Sequence, residues 1–339
     1  RRCNEKDMMA AAAGIAALLK SSRSLYDAMI RDERIDCDWQ AKGLLFAFRT
    51  PRAMGHHAEV DRLLRERFDT PARRIEPSEL LDLEPALRPG LAGGWHYEGD
   101  AHLRPDRLMA ELRRVLVEAG ATIHERRAAL GFVREGGRAT AVRTAAGDLP
   151  ADEVVVALGA WTPLLERDLG VRAPIQPGKG YSTTYRRVES PPALPIIFEE
   201  DRVAVTPFRD GYRIGSMMEF VGRDATIDRR RLAVLSKVSA RHLKTRTIGD
   251  PEEEWSGWRP MTPDGLPIVD RSPSLGNVLI AAGHNMLGLS TAPATGKLAA
   301  ELLTGTDPHV DPRPYSADRF QSRRDAVGRP EPPIASADA

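Results

Sequence analysis

The chain has 339 residues, with 49 lysines and arginines against 48 aspartates and glutamates, so its formal net charge is +1. Typical domain sizes of about 100–200 residues allow two domains, each with its own hydrophobic core. The balanced charge argues against nucleic acid or an anionic membrane as the main partner, because both attract an excess of positive side chains. No apolar run approaches the roughly 18–20 residues that a membrane-spanning helix needs.

The N-terminal segment admits two interpretations. Two arginines followed by the apolar stretch 8–19 have the order of a twin-arginine signal. However, Glu5 and Asp7 lie where such a signal is positive, and apolar side chains continue at helical spacing beyond the stretch. We therefore favour an amphipathic helix over 7–31.

The cysteine content argues against a disulfide framework and against a zinc site. Cys3 and Cys37 are the only cysteines, too few for a disulfide framework, and no cysteine–histidine cluster has zinc spacing. We therefore predict no metal site, and this content fits a reducing cytoplasm.

Apolar spacing and turn residues predict the elements of the first half of the chain. They are a strand over 43–48 closed by Thr50-Pro51, helical segments over 59–68 and around Leu80, a strand over 93–97, a helix from Pro105 to Ala119, a strand over 121–124, and short strands around Gly136 and Gly147.

The second half alternates between buried strands and more polar ones. A continuous β-branched run such as 152–159 is typical of a strand buried on both faces of a parallel sheet. The remaining predictions are short antiparallel strands over 175–214, a helix over 228–244, a buried strand over 277–282 and a helix over 293–303 ended by Gly305.

A buried strand followed by glycine occurs twice, at 154–163 and at 278–284. Ligands of open α/β sheets bind at the carboxyl ends of strands, where glycine lets a ligand approach the backbone. Either segment alone is better explained as an ordinary strand-to-loop turn.

A more specific signal surrounds the second strand. Before it the sequence reads Trp258-Arg259-Pro260 and, shortly after, Asp264-Gly265-Leu266-Pro267. After it, 283–296 reads GHNMLGLSTAPATG, and 177–182 reads PGKGYS. Together these ordered motifs resemble the D-amino-acid oxidase superfamily of FAD enzymes over about residues 8–320. Within it the chain is most similar to the bacterial D-amino-acid dehydrogenase small-subunit type, with glycine oxidase more distant.

The resemblance implies a mixed α/β fold. A Rossmann-like FAD/NAD(P)-binding domain, incomplete at its N-terminus, would be interleaved with an antiparallel-sheet substrate domain. The implied divisions are 1–31 as a helix bridging the domains, 32–92 and 175–258 as the substrate domain, 93–174 and 259–320 as the FAD-binding domain lacking its first βαβ unit, and 321–339 as a disordered tail.

The resemblance also implies the residues that bind FAD. The helix after Ser290-Thr291 would direct its N-terminus at the pyrimidine end of the isoalloxazine, where reduction leaves negative charge. Alternatively, one of these two residues merely caps the helix, and the two roles are compatible. The implied cofactor contacts are Ala129 on the adenine side, Gly159, Ala160 and Trp161 along the FAD, and Gly283, Gly288, Leu289, Ser290 and Thr291.

Arg259 resembles the family arginine that binds the substrate carboxylate. A planar guanidinium suits this task because it can donate two parallel hydrogen bonds, which would turn the substrate Cα–H toward flavin N5. His284, Met218 and Tyr181 match positions near the flavin or the substrate less specifically, and for each a structural role is at least as good an explanation. No general acid or base is assigned, because the amine reacts in its neutral form.

Two features depart from the family pattern. The dinucleotide fingerprint G-x-G-x-x-G does not occur, and the first residue is Arg1 rather than methionine. We therefore expect a truncated chain without the FAD pyrophosphate site, which would leave it inactive unaided. Both cysteines lie near the N-terminus, whereas covalent-flavin relatives have one in the C-terminal half, so we expect non-covalent FAD.

The resulting hypothesis is an FAD-dependent D-amino-acid dehydrogenase that forms 2-oxo acids and ammonia and passes electrons to a quinone or carrier. The family further implies a cytoplasmic location with peripheral attachment to the bacterial inner membrane. Two alternatives stay open: an oxidase or dehydrogenase of glycine, sarcosine or D-hydroxyproline, and a non-catalytic remnant acting as a binding or structural module. An in-frame fingerprint in the DNA upstream of Arg1 would favour an enzyme.

Overall fold

The structure is a computed structural model that describes residues 4–186, 188–247 and 250–321, so the tail expected over 321–339 lies outside it except for Gln321. The α-helices are α1 (Glu5–Asp32), α2 (Pro51–Phe68), α3 (Pro77–Leu83), α4 (Pro105–Glu118), α5 (Glu166–Leu169), α6 (Arg229–His242) and α7 (Gly288–Thr304). Among the described residues, none of these helices has the length and apolar character that crossing a membrane would require.

The strands of the described residues form four sheets. In chain order they are β1 (Leu44–Phe48), β2 (Arg73–Ile75), β3 (Gly93–Tyr97), β4 (Ala129–Glu135), β5 (Arg138–Thr144), β6 (Gly147–Pro150), β7 (Val154–Val156), β8 (Gln176–Tyr185), β9 (Val188–Glu189), β10 (Ile196–Phe198), β11 (Val203–Phe208), β12 (Gly211–Glu219), β13 (Arg246–Thr247), β14 (Glu253–Met261), β15 (Ile268–Arg271) and β16 (Val278–Ala282). The largest sheet has the order β14-β8-β12-β11-β10-β1-β3-β2, and the others are β15-β16-β7, β4-β5-β6 and β13-β9.

The chain divides into two compact units, and both are built from separate stretches of sequence. The described part of the first unit comprises residues 4–19, 126–175 and 260–321, and the second comprises 20–125 and 176–259 where described. Two of the four divisions therefore fall inside elements, one in α1 and one in β14. The prediction that 93–125 belongs to the FAD-binding domain is wrong, because β3 pairs with β1 and β2 in the eight-stranded sheet of the second unit.

In the first unit, β7 runs parallel to β16, and Val154, Val155 and Val156 pair with Val278, Leu279 and Ile280. The prediction of a strand over 152–159 that is buried on both faces is wrong in both its length and its burial. β7 is three residues long and forms the edge of its sheet, which leaves Val155 44% exposed. The parallel pairing itself agrees with the β-branched run.

The buried side chain of Asn277 joins the two three-stranded sheets of this unit. Its Nδ2 donates to the carbonyl oxygens of Ala139 (2.8 Å) and Asp152 (2.7 Å), and its Oδ1 accepts from the Ala139 amide at 2.8 Å. Asn277 therefore fixes the start of β16 against the β4-β5-β6 meander, which the sequence predicted around Gly136 and Gly147.

In the second unit, the prediction of antiparallel strands over 175–214 is confirmed by β8, β11 and β12, while the pairing of β1 with β10 is parallel. Helix α6 packs against one face of this sheet, and the core there includes Tyr181, Ile214 and Leu235. Strand residues alternate between faces, so the even-numbered residues of β8 lie on the opposite face.

One further predicted element is wrong. Residues 121–124 form no strand, because the stretch after α4 is exposed and pairs with no other segment of the described chain. Thr50-Pro51 follows the end of β1 as predicted and also starts α2: Thr50 caps this helix by accepting from the Ala53 amide, and Pro51 occupies the first helical position. Proline suits that position because its missing N–H is not needed there.

Candidate active site

In the first unit, two glycine loops lie at one edge of the sheet. Gly159 follows β7 and Gly283 follows β16, with φ of 53° and 84°, values that favour glycine. Because the two strands are parallel neighbours, their carboxyl ends meet at the same edge. A Cβ at Gly159 would have open space around it, and a Cβ at Gly283 would lie 2.7 Å from Thr262 Cγ2.

The loop after Gly283 is held by Asn285, a residue that the motif analysis did not single out. Asn285 has φ 54°, a left-handed conformation that asparagine tolerates better than most residues. Its Oδ1 accepts from the Thr262 amide (2.9 Å), and its Nδ2 donates to Thr262 Oγ1 and to the Gly283 carbonyl. The loop is thereby anchored to Gly283 and to Thr262, and an asparagine between two glycines was the available signal.

Helix α7 begins at Gly288, earlier than the predicted 293–303. The expected capping role of Ser290 or Thr291 is wrong, since the N-cap is Leu287 without a side-chain cap, and Thr291 Oγ1 donates back to the Leu287 carbonyl at 2.8 Å. The first N–H groups of a helix have no helical partner, and the dipole there favours negative charge. This first turn therefore suits a group that becomes anionic.

His284 connects the loop to this helix. Its Nε2 lies 3.0 Å from Thr295 Oγ1, and burial lowers the pKa of the imidazole from 6.5 to about 4. A histidine with this pKa is neutral at pH 7, so it neither supplies a positive charge nor acts as a protonated acid there.

The remaining cofactor candidates are distributed over two sheets of the first unit. Ala160 is buried and Trp161 is 45% exposed in the single 3₁₀ turn over Gly159–Leu165, directly after β7. Ala129 begins β4 opposite Thr144, in the β4-β5-β6 sheet. The structure thus brings Gly159, Ala160 and Trp161 to the edge where Gly283 lies, and it places Ala129 in another sheet.

These residues fit the ring end of a flavin. Four large apolar side chains are exposed along the two loops and the first turn of α7, as is typical of a surface that binds an apolar group. They are Trp161, Leu164, Met286 and Leu289. Beside them lie open space at Gly159 and an uncapped helix N-terminus. The given sequence contains no G-x-G-x-x-G, the motif that binds the pyrophosphate of a dinucleotide, so these residues account for the flavin ring and not for the pyrophosphate.

The second unit contains Arg259, whose guanidinium lies directly over Gly180 on the neighbouring strand β8. A Cβ at Gly180 would overlap the guanidinium, so only glycine leaves room for it. Nη1 donates to the Met217 carbonyl at 2.9 Å, and burial lowers the pKa of Arg259. No carboxylate of the described residues forms an ion pair with Arg259. Its half-buried guanidinium therefore has N–H groups with which it can bind an anion.

A β-bulge presents the carbonyl that Arg259 uses. The register between β12 and β8 shifts between Ser216 and Glu219, and Met217 has φ 75°. This irregularity turns the Met217 carbonyl toward the arginine and leaves the Met218 side chain 38% exposed. Met218 therefore directly follows the residue whose carbonyl accepts the hydrogen bond from Arg259.

Tyr181 is buried on the opposite face of β8, in the core with α6. Its hydroxyl donates to Glu219 Oε2 at 2.8 Å, and Glu219 also pairs with Arg231 at 2.7 Å. The hydroxyl is therefore engaged, and Tyr181 supports the end of the bulge from behind. Neither Glu219 nor Arg231 was singled out by the sequence, since no motif marks a partner so distant along the chain.

The Asp-Gly-x-Pro motif has a structural role. Asp264 pairs with Arg319 at 2.8 Å, and both side chains are largely buried. Arg319 Nη2 also donates to the Leu266 carbonyl at 2.7 Å. This pair fixes the turn between β14 and β15 and explains why an aspartate stands in the motif.

Comparison with known proteins gives a consistent assignment. The profile of the FAD dependent oxidoreductase family (DAO) matches residues 6–302. The chain belongs to this family. It is 34% identical over 255 residues to glycine oxidase of Pseudomonas putida, covering 74% of this chain and 69% of the relative. It is 33% identical over 308 residues to D-amino acid dehydrogenase of Chromohalobacter salexigens, covering 88% of this chain and 72% of that protein.

The fold of this family member is also found among solved structures. The crystal structure of glycine oxidase from Geobacillus kaustophilus superposes with a TM-score of 0.81 at 25% identity, covering 90% of this chain and 83% of that one. The FAD-dependent family and the mixed α/β fold predicted from the motifs are therefore confirmed.

We predict that His284 stays neutral down to about pH 5, because burial lowers its pKa to about 4. A ¹⁵N NMR titration of the imidazole, assigned with His284→Asn, measures this directly. Since the unfolded chain binds a proton near pH 6.5, protonation makes the free energy of unfolding fall as the pH drops from about 6.5 to about 4. An imidazole midpoint near 6.5 would contradict the burial of this ring.

Proposed function

We propose that this FAD-dependent oxidoreductase oxidises D-amino acids. The substrate loses a hydride from Cα and a proton from nitrogen, and water then hydrolyses the imino acid to a 2-oxo acid and ammonia. Non-covalently bound FAD supplies the two-electron acceptor. The observation that carries the proposal is Arg259, a half-buried guanidinium over Gly180 without a carboxylate partner among the described residues.

Arg259 binds the substrate carboxylate in this proposal. Nη1 is engaged by the Met217 carbonyl, which orients the guanidinium plane and leaves further N–H groups for a carboxylate. Partial burial strengthens such a charge-assisted pair relative to one in water. A carboxylate held by two contacts fixes the orientation of Cα, on which the rate of hydride transfer depends.

The first unit would hold the FAD. The first turn of α7, from Gly288 to Thr291, would stabilise the charge that reduction places on the pyrimidine end. The loops at Gly159–Trp161 and at Gly283 would lie along the cofactor, and Ala129 would contribute on the adenine side. Neutral His284 would position the loop through Thr295 and would leave the negative charge to the helix.

No acid or base is needed from the protein. The substrate amine reacts in its neutral form, and the two titratable candidates are both engaged in structural contacts. Tyr181 donates its hydroxyl to Glu219, and His284 is neutral beside Thr295. Met218, exposed next to the bulge, would contact the substrate as an apolar surface.

A second candidate is oxidation of glycine or a related small amine such as sarcosine or D-hydroxyproline. It is favoured by the 34% identity to a glycine oxidase and by the TM-score of 0.81 to another. A substrate panel assayed with and without oxygen separates the two. Turnover without oxygen, with a quinone or another carrier as acceptor, supports the dehydrogenase, in line with the relatives named D-amino acid dehydrogenase.

One test of the proposal measures flavin reduction. When the full reading frame is expressed and supplied with FAD, anaerobic D-alanine bleaches the bound flavin absorbance, whereas L-alanine does not. Arg259→Ala raises the D-alanine concentration for half-bleaching about 10–100-fold, because a charged hydrogen bond contributes about 1.5–3 kcal/mol. FAD affinity, measured by flavin fluorescence, stays unchanged in this variant. Unchanged spectra with a panel of D- and cyclic amino acids, or no FAD binding, would contradict the proposal for this chain.

Another test of the proposal compares two glycines of the second unit. Gly180→Ala weakens D-alanine binding about 10–100-fold, because the new Cβ overlaps the Arg259 guanidinium and breaks its contacts. Gly55→Ala in α2 is the control, since its Cβ would meet no atom within 4 Å. Calorimetric titration measures both affinities, and thermal unfolding shows that both variants are folded. Equal D-alanine affinities in the two variants would contradict the proposal that Gly180 leaves the space for the Arg259 guanidinium.

A further inference from the structure

Trp255, Gly257 and Arg259 alternate along β14 and therefore lie on one face of it. The Trp255 indole lies over Gly257, where a Cβ would overlap its six-membered ring. The tryptophan is nevertheless 51% exposed. An indole laid along the strand toward Arg259, with its face open, is a surface for a flat or aliphatic apolar group.

The sheet residues next to the Arg259 and Trp255 side chains are small. Gly180 lies beneath the Arg259 guanidinium on β8, and Gly215 lies opposite Ser182 in the pairing of β12 with β8. Glycine and serine leave room above the sheet that larger side chains would fill. This face is the one away from the α6 core, because Tyr181 and Ile214 point into that core.

The far end of the row holds an ion pair. Glu253 lies two residues before Trp255, and its Oε2 accepts from Arg213 Nη2 at 2.9 Å and from Thr184 at 3.3 Å. The carboxylate and the guanidinium offset each other's charge, so this pair favours neither an acidic nor a basic substrate side chain.

Resting on the proposed function, we propose that Trp255 is a specificity-determining residue that receives the side chain of the substrate. The substrate class is amino acids with an apolar side chain, aliphatic or aromatic, whose carboxylate is bound by Arg259. Residues two apart in a strand are about 6.6 Å apart, so the gap from Arg259 to the indole over Gly257 matches a side chain such as leucine or phenylalanine. Glycine would leave the indole uncovered.

The test uses unreactive carboxylates, so it needs no turnover. Binding of acetate, butyrate and 3-phenylpropionate to the chain with excess FAD is measured by calorimetry for the wild type, Trp255→Ala and Trp255→Phe. In the wild type, affinity rises at least about tenfold from acetate to 3-phenylpropionate, because burying apolar groups against an aromatic ring is favourable. Trp255→Ala reduces this increase to below about threefold and leaves acetate binding unchanged, whereas Trp255→Phe retains most of it.

The control variant is Val234→Ala, which removes an exposed apolar side chain from α6, and it should behave as the wild type. An increase with ligand size that survives in Trp255→Ala overturns the assignment of Trp255 while leaving Arg259 as the carboxylate site. If acetate binds as well to Arg259→Ala as to the wild type, it is the proposed function that fails, and the assignment of Trp255 falls with it.

Discussion

The candidate site depends on how the Arg259 guanidinium is accommodated in a half-buried place where no carboxylate of the described residues pairs with it. Removing a charged group from water is costly, and Arg259 recovers part of that cost through one hydrogen bond to the Met217 carbonyl. That bond requires the bulge that turns the carbonyl, and the guanidinium requires a glycine beneath it. A site that stays only partly satisfied is suited to bind a carboxylate, because the ligand supplies what the protein lacks.

The support of this arginine reaches through the sheet to its other face. Tyr181 and Arg231 both bind Glu219, the residue at which regular pairing with β8 resumes after the bulge. Lys179, almost fully buried, pairs across to Glu219 in the strand register and lies over the Tyr181 ring. The polar groups around the bulge are thus paired with one another, and Tyr181 and Lys179 are buried there, which favours a fixed backbone at the bulge.

The first unit meets a different electrostatic requirement. A family member that uses FAD must tolerate a cofactor whose charge changes during turnover, and fixed backbone dipoles do so without reorganising. The uncapped start of α7 and the neutral, low-pKa His284 fit this requirement better than a charged side chain would. Asn285 and Thr262 hold the intervening loop by hydrogen bonds that involve no ionised group.

Much of this organisation was predictable because it rests on local patterns. Period-two and helical spacing located most elements, and the Trp-Arg-Pro and Ala-Pro-Ala-Thr-Gly segments identified the family. Features that depend on distant partners were not predictable: the β1–β3 pairing that moves 93–125 to the second unit, and the Tyr181–Glu219 bond. The helix start at Gly288 was missed because Ser290 and Thr291 are favourable capping residues that the fold uses otherwise.

In the proposed function, the Arg259 guanidinium itself binds the carboxylate of the substrate. The most direct measurement is a ¹⁵N NMR titration of the arginine side-chain signals with D-alanine in the presence of FAD under anaerobic conditions, with Arg259→Lys to assign the signal. We expect the Arg259 signal to shift, with half of its total change at the D-alanine concentration that half-reduces the flavin. An Arg259 signal that does not move while D-alanine reduces the flavin would contradict it.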